Sequence, residues 1–337
     1  MNWDSYKTHF IEKARLANFS SSNIVACLQY AKRLYDNKVP IIYDLNHFSL
    51  LVGYDKEYLI RASNGQKYFY RTFAISKKNG RKRKISEPLP NLKTIQRWML
   101  DHILSTIEIS RFAKAYIKKR SIRDNARFHL KQKYVLNLDI QNFFSSIDFN
   151  RVYRLFRDLG YRKSLSVLFA NLCILDGSLP QGAPTSPAIS NIIFRRNDAR
   201  ISGYCIANKI RYTRYADDMT FSGDFECGKL IHFIKRVLRE SGFKLNTEKT
   251  RFMGRHQRQE VTGIVVNEKM QLPRNIRRDL RQKRYYIEKY GLDSYLKHQN
   301  IKYANHIGHI IGKTSFGLFL NRSDKELSEN LEFFRDF

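Results

Sequence analysis

Over the first sixty residues, apolar side chains recur at three- and four-residue spacing, which predicts helices with a break at Gly53 in HFSLLVGYDKEYLIRA. The period then changes. YFYRTFAIS (68–76) alternates as a strand does, and Asn79-Gly80 is a turn signal joining it to RKRKISEP in a hairpin. Helical spacing returns in residues 91–108 through Leu92, Ile95, Trp98, Met99, Ile103 and Ile107. KYVLNLD (133–139) is a short apolar strand ending in an acid, and 148–176 predicts two helices parted near Gly160. A helix follows LPQGAPTSP (179–187), and IRYTRYADDMTFSG (210–223) reads as strand, tight turn and strand. A helix over 226–241 and two further strand segments come next, one of them in QEVTGIVVNEKMQL. From Pro273 onward the pattern is helical. Strand pairs interleaved with helices predict an α+β fold, an antiparallel sheet backed by helices.

Composition adds one sharp feature. Of 337 residues, 61 are Lys or Arg and 31 are Asp or Glu, a net charge of +30. Such a chain repels itself unless it meets a polyanion, above all nucleic acid. With 23 Phe and 20 Tyr there is ample material for a core. No run approaches the roughly 18 apolar residues of a membrane helix, and the N-terminal stretch lacks a signal-peptide core. Cys27, Cys173, Cys205 and Cys227 are scattered, as expected of reduced thiols in a cytoplasmic setting without a zinc site.

In so basic a chain the placing of acids is informative. Asp139 closes an apolar strand, and Asp217-Asp218 sit between two β-rich segments in YADDMTF. An isolated Asp-Asp pair is common in solvated turns; the apolar Tyr-Ala and Met-Thr-Phe around this one favour a sheet facing a cleft over that reading, with both still open. A carboxylate at a strand end beside others at a hairpin turn can bridge two Mg²⁺ ions about 4 Å apart, for attack of a hydroxyl on a triphosphate. Few carboxylates suffice, because Mg²⁺ takes phosphate oxygens as well. In LPQGAPTSP, Gln181-Gly182 gives a tight backbone before a helix bracketed by Pro184 and Pro187. By itself this is either a phosphate- or template-facing helix start or a well-made loop-to-helix junction.

The basic residues lie in runs: six in KKNGRKRK (77–84), nine between Arg111 and Lys133 against Asp124 alone, and seven in 274–289 against Asp279 and Glu288. On a helix, Arg274, Arg277, Arg278, Arg281 and Arg284 share one side, with Tyr285, Tyr286 and Tyr290 interleaved. The expectation is a helix tracking a nucleic-acid backbone, with binding that weakens steeply in salt.

Taken in order, NLDIQNFF, LPQGAPTSP and YADD resemble the palm motifs of reverse transcriptases. Asn125-Ala126-Arg127-Phe128-His129 resembles the N-A-x-x-H signature of retron reverse transcriptases, and Val261-Thr262-Gly263 their V-T-G signature. RKRKISEPLPNLKTIQRWML is similar to the fingers segment of that family, and the likeness runs from about residue 47 to about residue 290. The resemblance implies a right-hand polymerase: an N-terminal helical extension (1–60), fingers (61–132), a palm with interleaved fingers helices (133–267) and a basic helical thumb (268–337).

It also implies roles. Asp139 and Asp217 hold both Mg²⁺ ions, with Asp218 more peripheral. Phe144 is the steric gate that restricts the substrates to dNTPs. Gln181 lines the nucleotide and template pocket, and Arg83 binds the triphosphate, with Lys77, Lys78 and Lys84 as rivals. Asn125 and His129 belong to a family-specific region that contacts the RNA or braces the palm. Asn142 departs from many relatives, which carry a second acid there. The family copies part of a structured non-coding RNA from an internal guanosine 2′-hydroxyl, giving branched RNA–DNA (msDNA). Its expected partners are that RNA and its product, an accessory effector or toxin of anti-phage defence, and host RNase H, with no membrane. A group II intron-like or diversity-generating enzyme is the nearest alternative, and a non-catalytic RNA-binding or toxin-sequestering module the alternative of another class.

Overall fold

The computed structural model describes residues 2–76, 80, 82–301 and 305–337. Two compact units are built from interleaved segments. The first takes Met1–Arg111, Gln141–Ala199 and Leu238–Lys244, and the second Phe112–Ile140, Arg200–Val237 and Leu245–Phe337.

In chain order the helices are α1 (Trp3–Leu16), α2 (Ser21–Asp36), α3 (Leu45–Val52), α4 (Lys56–Asn64), α5 (Pro90–His102), α6 (Ile122–Arg127) and α7 (Phe149–Asp158). They continue as α8 (Lys163–Cys173), α9 (Ser186–Ala207), α10 (Cys227–Glu240), α11 (Arg274–Tyr290), α12 (Leu292–His298), α13 (His306–Leu320) and α14 (Lys325–Arg335). The strands are β1 (Tyr70–Ser76), β2 (Lys82–Pro88), β3 (Tyr134–Gln141), β4 (Arg211–Tyr215), β5 (Asp218–Gly223), β6 (Lys244–Gly254), β7 (Glu260–Val261) and β8 (Ile264–Val265). The mixture is the α+β arrangement expected.

In the first unit, the break at Gly53 is where α3 ends in the left-handed conformation, and Asp44 caps the other end by accepting from His47 N at 2.8 Å. Phe169 of α8 centres an aromatic core, with ring centroids 4.8 Å from Phe48, 5.1 Å from Tyr161 and 5.4 Å from Phe156. The helix expected over 91–108 stops at His102 and gives way to a 3-10 turn at Leu104–Thr106. β1 and β2 pair antiparallel from Tyr70↔Pro88 to Ser76↔Lys82. The residues Lys77, Lys78 and Asn79 of the predicted hairpin lie outside those described.

The second unit is organised by a sheet in the order β4-β5-β3-β6. β7 and β8 form a separate small hairpin closed by Thr262 and Gly263, both left-handed (φ 47° and 84°), as a two-residue type I′ turn demands. The continuous helical signal after Pro273 resolves into α11 to α14. Leu280, Ile287, Ile310, Leu320, Leu327 and Phe334 from these helices share one apolar cluster with Val135 of β3 and with Val261 and Ile264 of the small hairpin. At Gly317 a Cβ would lie 2.5 Å from Leu327 Cδ1 and 2.8 Å from Leu272 Cδ1, so a larger residue there would force these two leucines to move. Among the described residues no helix is long and apolar enough to cross a membrane, and all four cysteines are free.

Candidate active site

Asp139, Asp217 and Asp218 all belong to the second unit. β3 ends its pairing with β5 at Asp139↔Asp218, which makes these two carboxylates cross-strand neighbours. Tyr215↔Asp218 closes the β4–β5 hairpin, leaving Ala216 and Asp217 as a two-residue turn. Ala216 is buried at φ 60°, a conformation that glycine takes freely and alanine only at a cost of about 1–2 kcal/mol. Arg214, itself fully buried, holds the turn by donating from Nη1 to the Ala216 carbonyl at 2.9 Å. The Asp217 carbonyl accepts from Ile140 N at 3.0 Å, which ties the turn to the end of β3.

The sheet order brings β6 beside β3, and with it two residues that sequence reasoning missed. Asn246 Nδ2 donates to Asp139 Oδ1 at 3.1 Å, and Lys249 Nζ lies 2.7 Å from Asp139 Oδ2. No local periodicity announces either, because both depend on which strand flanks β3. Asp139 is buried. Desolvation, then the Asp217 and Asp139 carboxylates, push Asp218 up to about 6, partly offset by Lys249. Asp218 is thus held against its own charge by its surroundings even though part of its side chain reaches solvent. A cavity of about 200 Å³ opens at Asp139 and Asp218 and continues past Thr220 and Lys249 to Glu260, Thr262 and Gly263.

These residues suit Mg²⁺. The donors are hard carboxylate oxygens, Asp218 makes no ion pair among the described residues and feels Lys249 only as a partial offset, and the amino group on Asp139 already marks a place that favours a cation. Among the described residues, no three His, Cys, Asp or Glu side chains converge as a complete ligand set. Strand register sets Asp218 directly across from Asp139.

The other expected residues fall into two groups. Gln181, Arg83 and Phe144 belong to the first unit. There the Gln181 carbonyl accepts from Ser86 N at 2.8 Å, pinning the QG loop to β2, while its side chain is exposed. Gly182 (φ 128°) lies so close that a Cβ would meet Ser86 O at 2.7 Å. Arg83 is exposed on the same strand, and Lys84 leans towards Asp176 at 4.0 Å. Of the paired rings, Phe143 is core, 5.6 Å from Phe194, and Phe144 stays half-exposed. Asn142 is left-handed (φ 52°) and its carbonyl accepts from Ser146 N at 2.8 Å.

The residues expected on RNA require correction. Asn125 and His129 are fully buried, so neither side chain has surface to offer RNA. Their bonding partners are Thr213, Ser222 and Thr262. Burial drives His129 down to about 3, so the ring is neutral. Arg277 is also corrected. It donates to Asp324 and Glu326 of the α14 N-terminal turn and is only 17% exposed. Arg284 bonds Asn330 at 3.1 Å and lies over the Phe333 ring, and Arg281 pairs with Glu326 at 3.4 Å. The cause is periodicity: Arg277, Leu280, Arg284 and Ile287 form one stripe, and Leu280 and Ile287 turn it inward. Arg274 and Arg278 are exposed, as are Tyr285, Tyr290 and Lys289, whose ammonium lies over both of these rings.

Residues 75–303 match the family described as reverse transcriptase (RNA-dependent DNA polymerase). The retron Ec86 reverse transcriptase of Escherichia coli is 33% identical over 260 residues, covering 76% of this chain and 81% of that protein. The retron Mx65 reverse transcriptase of Myxococcus xanthus is 36% identical over 250 residues, 68% of this chain and 58% of the relative. Among solved structures, a Candida albicans telomerase in complex with a telomeric RNA fragment aligns over 80% of this chain and 66% of that one, with TM-score 0.46 and 10% identity.

Proposed function

The chain belongs to the reverse transcriptase family, in its retron branch, and is an RNA-directed DNA polymerase; we propose that Asp139, Asp217 and Asp218 carry its catalysis with two Mg²⁺ ions. The observation that carries this reading is the cross-strand pairing of Asp139 with Asp218 on one cavity, with Asp217 in the turn between β4 and β5. A primer hydroxyl attacks the α-phosphorus of a dNTP, the new P–O bond forms, the bond to the β-phosphate breaks, and pyrophosphate leaves. The hydroxyl proton passes to solvent. Mg²⁺, when bound, neutralises the triphosphate and makes the hydroxyl more acidic. The protein supplies placement: strand pairing fixes Asp139 against Asp218, and Asn246 orients the Asp139 carboxylate. Lys249 neutralises Asp139 and must give way where a metal takes the same oxygen.

Phe144, half-exposed beside the buried Phe143, is the ring available as a gate against ribonucleotides. Arg83 and Gln181 serve the incoming nucleotide. Arg274 and Arg278, with the tyrosines of α11, offer a basic and aromatic surface to the cognate non-coding RNA. Priming from a guanosine 2′-hydroxyl, the branched msDNA product, an accessory effector in anti-phage defence, trimming by host RNase H and a cytoplasmic setting complete the reading. All five rest on family likeness.

Primer extension with purified protein, Mg²⁺, dNTPs and an RNA template tests the site. Asp139→Asn, Asp217→Asn and Asp218→Asn are expected to lose activity by about 100-fold or more. Extension at the wild-type rate by Asp217→Asn or Asp218→Asn would refute the assignment.

A further inference from the structure

Asn125 and His129 meet no solvent, and the bonds they make have a direction. Thr213 Oγ1 donates its one proton to Asn125 Oδ1 at 2.6 Å. It must therefore accept from His129 Nε2, which lies 2.7 Å away. The neutral ring then carries its proton on Nε2, and Nδ1 accepts from Ser222 Oγ at 2.7 Å. Each donor is thus assigned in turn: Ser222 to His129, His129 to Thr213, Thr213 to Asn125. With Oδ1 committed to Thr213, the Asn125 amide aims Nδ2 at Thr262 Oγ1, 3.4 Å away.

The two ends of this chain are significant. Thr213 and Ser222 lie on β4 and β5, whose connecting turn carries Asp217 and the second of which opens with Asp218. Thr262 is a β-branched residue at φ 47°, a conformation that persists only where the surroundings impose it. Thr262 and Gly263 line the same cavity as Asp139 and Asp218. A parallel tie comes from β3, where Asn137 Nδ2 donates to the Glu260 carbonyl at 2.7 Å.

We propose that Asn125 and His129 are positioning residues that hold the strained Thr262–Gly263 turn at a set place relative to the Asp217–Asp218 hairpin, and so set the shape of the cavity in which the attacking end of the primer is held. Asn125-x-x-x-His129 and Val261-Thr262-Gly263 are then two halves of one device, although about 130 residues separate them. The inference rests on the catalytic acids proposed above.

The test uses the full chain and three variants: Asn125→Ala, Thr262→Val, and Asn125→Ala combined with Thr262→Gly. Single-nucleotide addition gives kcat and the KM for dNTP, and hydrogen–deuterium exchange reports on residues 258–266. Each single variant is expected to lower kcat about tenfold while KM for dNTP moves less than about twofold, with faster exchange in 258–266. Glycine at 262 keeps a positive φ without a brace, so the double variant is expected to recover most of the kcat lost by Asn125→Ala. Thr262→Val changes only a half-exposed turn, so it reads out even if Asn125→Ala does not fold. Unchanged exchange in the single variants, or a double variant no faster than Asn125→Ala, overturns the proposal. Exchange decides the brace even if the acid substitutions show the catalytic assignment to be wrong, which keeps the two failures apart.

Discussion

Arg277 and Arg278 are adjacent on α11, yet they should behave as opposites. Arg277 sits between Asp324 and Glu326, and these acids hold its guanidinium charged more firmly than usual, Asp324 chiefly. Asp324 is 7% exposed and also caps α14. Arg277→Met therefore leaves a buried carboxylate without its partner, a loss of about 3–5 kcal/mol for a fully buried pair and about 3 kcal/mol with the remaining solvent contact allowed for. The second unit has roughly 160 residues, for which about 3 kcal/mol corresponds to a fall in Tm of about 6–12 °C. Arg278 is exposed and makes no ion pair among the described residues, so Arg278→Met should leave Tm within about 1 °C. Its effect belongs to RNA. Loss of one phosphate contact lowers the slope of log K against log salt by about 0.7–0.9. Thermal melts and RNA binding at four salt concentrations, with both variants in parallel, separate the roles. If Arg277→Met melts like wild type and instead flattens the salt slope, the inward assignment of that stripe is wrong.

Two further outcomes follow from the geometry. Asp218 has a raised folded-state pKa of about 6, so its charge opposes folding above that pH and the metal-free protein gains stability from this group as pH falls from about 7 towards 4. Added Mg²⁺ should accordingly raise Tm more at pH 7.5 than at pH 5.5, and an equal rise at both values would contradict the placement of Asp218 at the metals. Gly182→Ala drives a methyl to within 2.7 Å of Ser86 O at φ 128°, at a cost of about 1–3 kcal/mol. It should displace β2 and raise KM for dNTP in steady-state extension, and unchanged KM and Tm would show that the QG loop does not position the hairpin.

Much of this molecule was legible locally. The α+β class, the strand ending at Asp139 and the tight turn at Asp217-Asp218 follow from alternation and turn chemistry within short windows, where side-chain period reports backbone geometry directly. What failed had distant partners. The arginine stripe of α11 reads from sequence as one basic face, but Leu280 and Ile287 direct half of it against α14. Asn125 and His129 read as candidates for RNA contact or for bracing the palm, and their partners Thr213, Ser222 and Thr262, which lie 84 to 137 residues away, are what decides between the two.

The sequence by itself therefore determined the kind of chemistry: three aspartates in strand and turn contexts, set in a chain of +30 net charge. Tertiary structure decided the working arrangement. It made Asp218 the neighbour of Asp139, brought Lys249 and Asn246 to the same carboxylate, turned Arg277 inward and joined two distant motifs through one buried imidazole. The physical reason is that strand order and burial are global solutions. A hydrogen bond or ion pair between residues a hundred positions apart exists only once the sheet and the apolar cluster have brought them together.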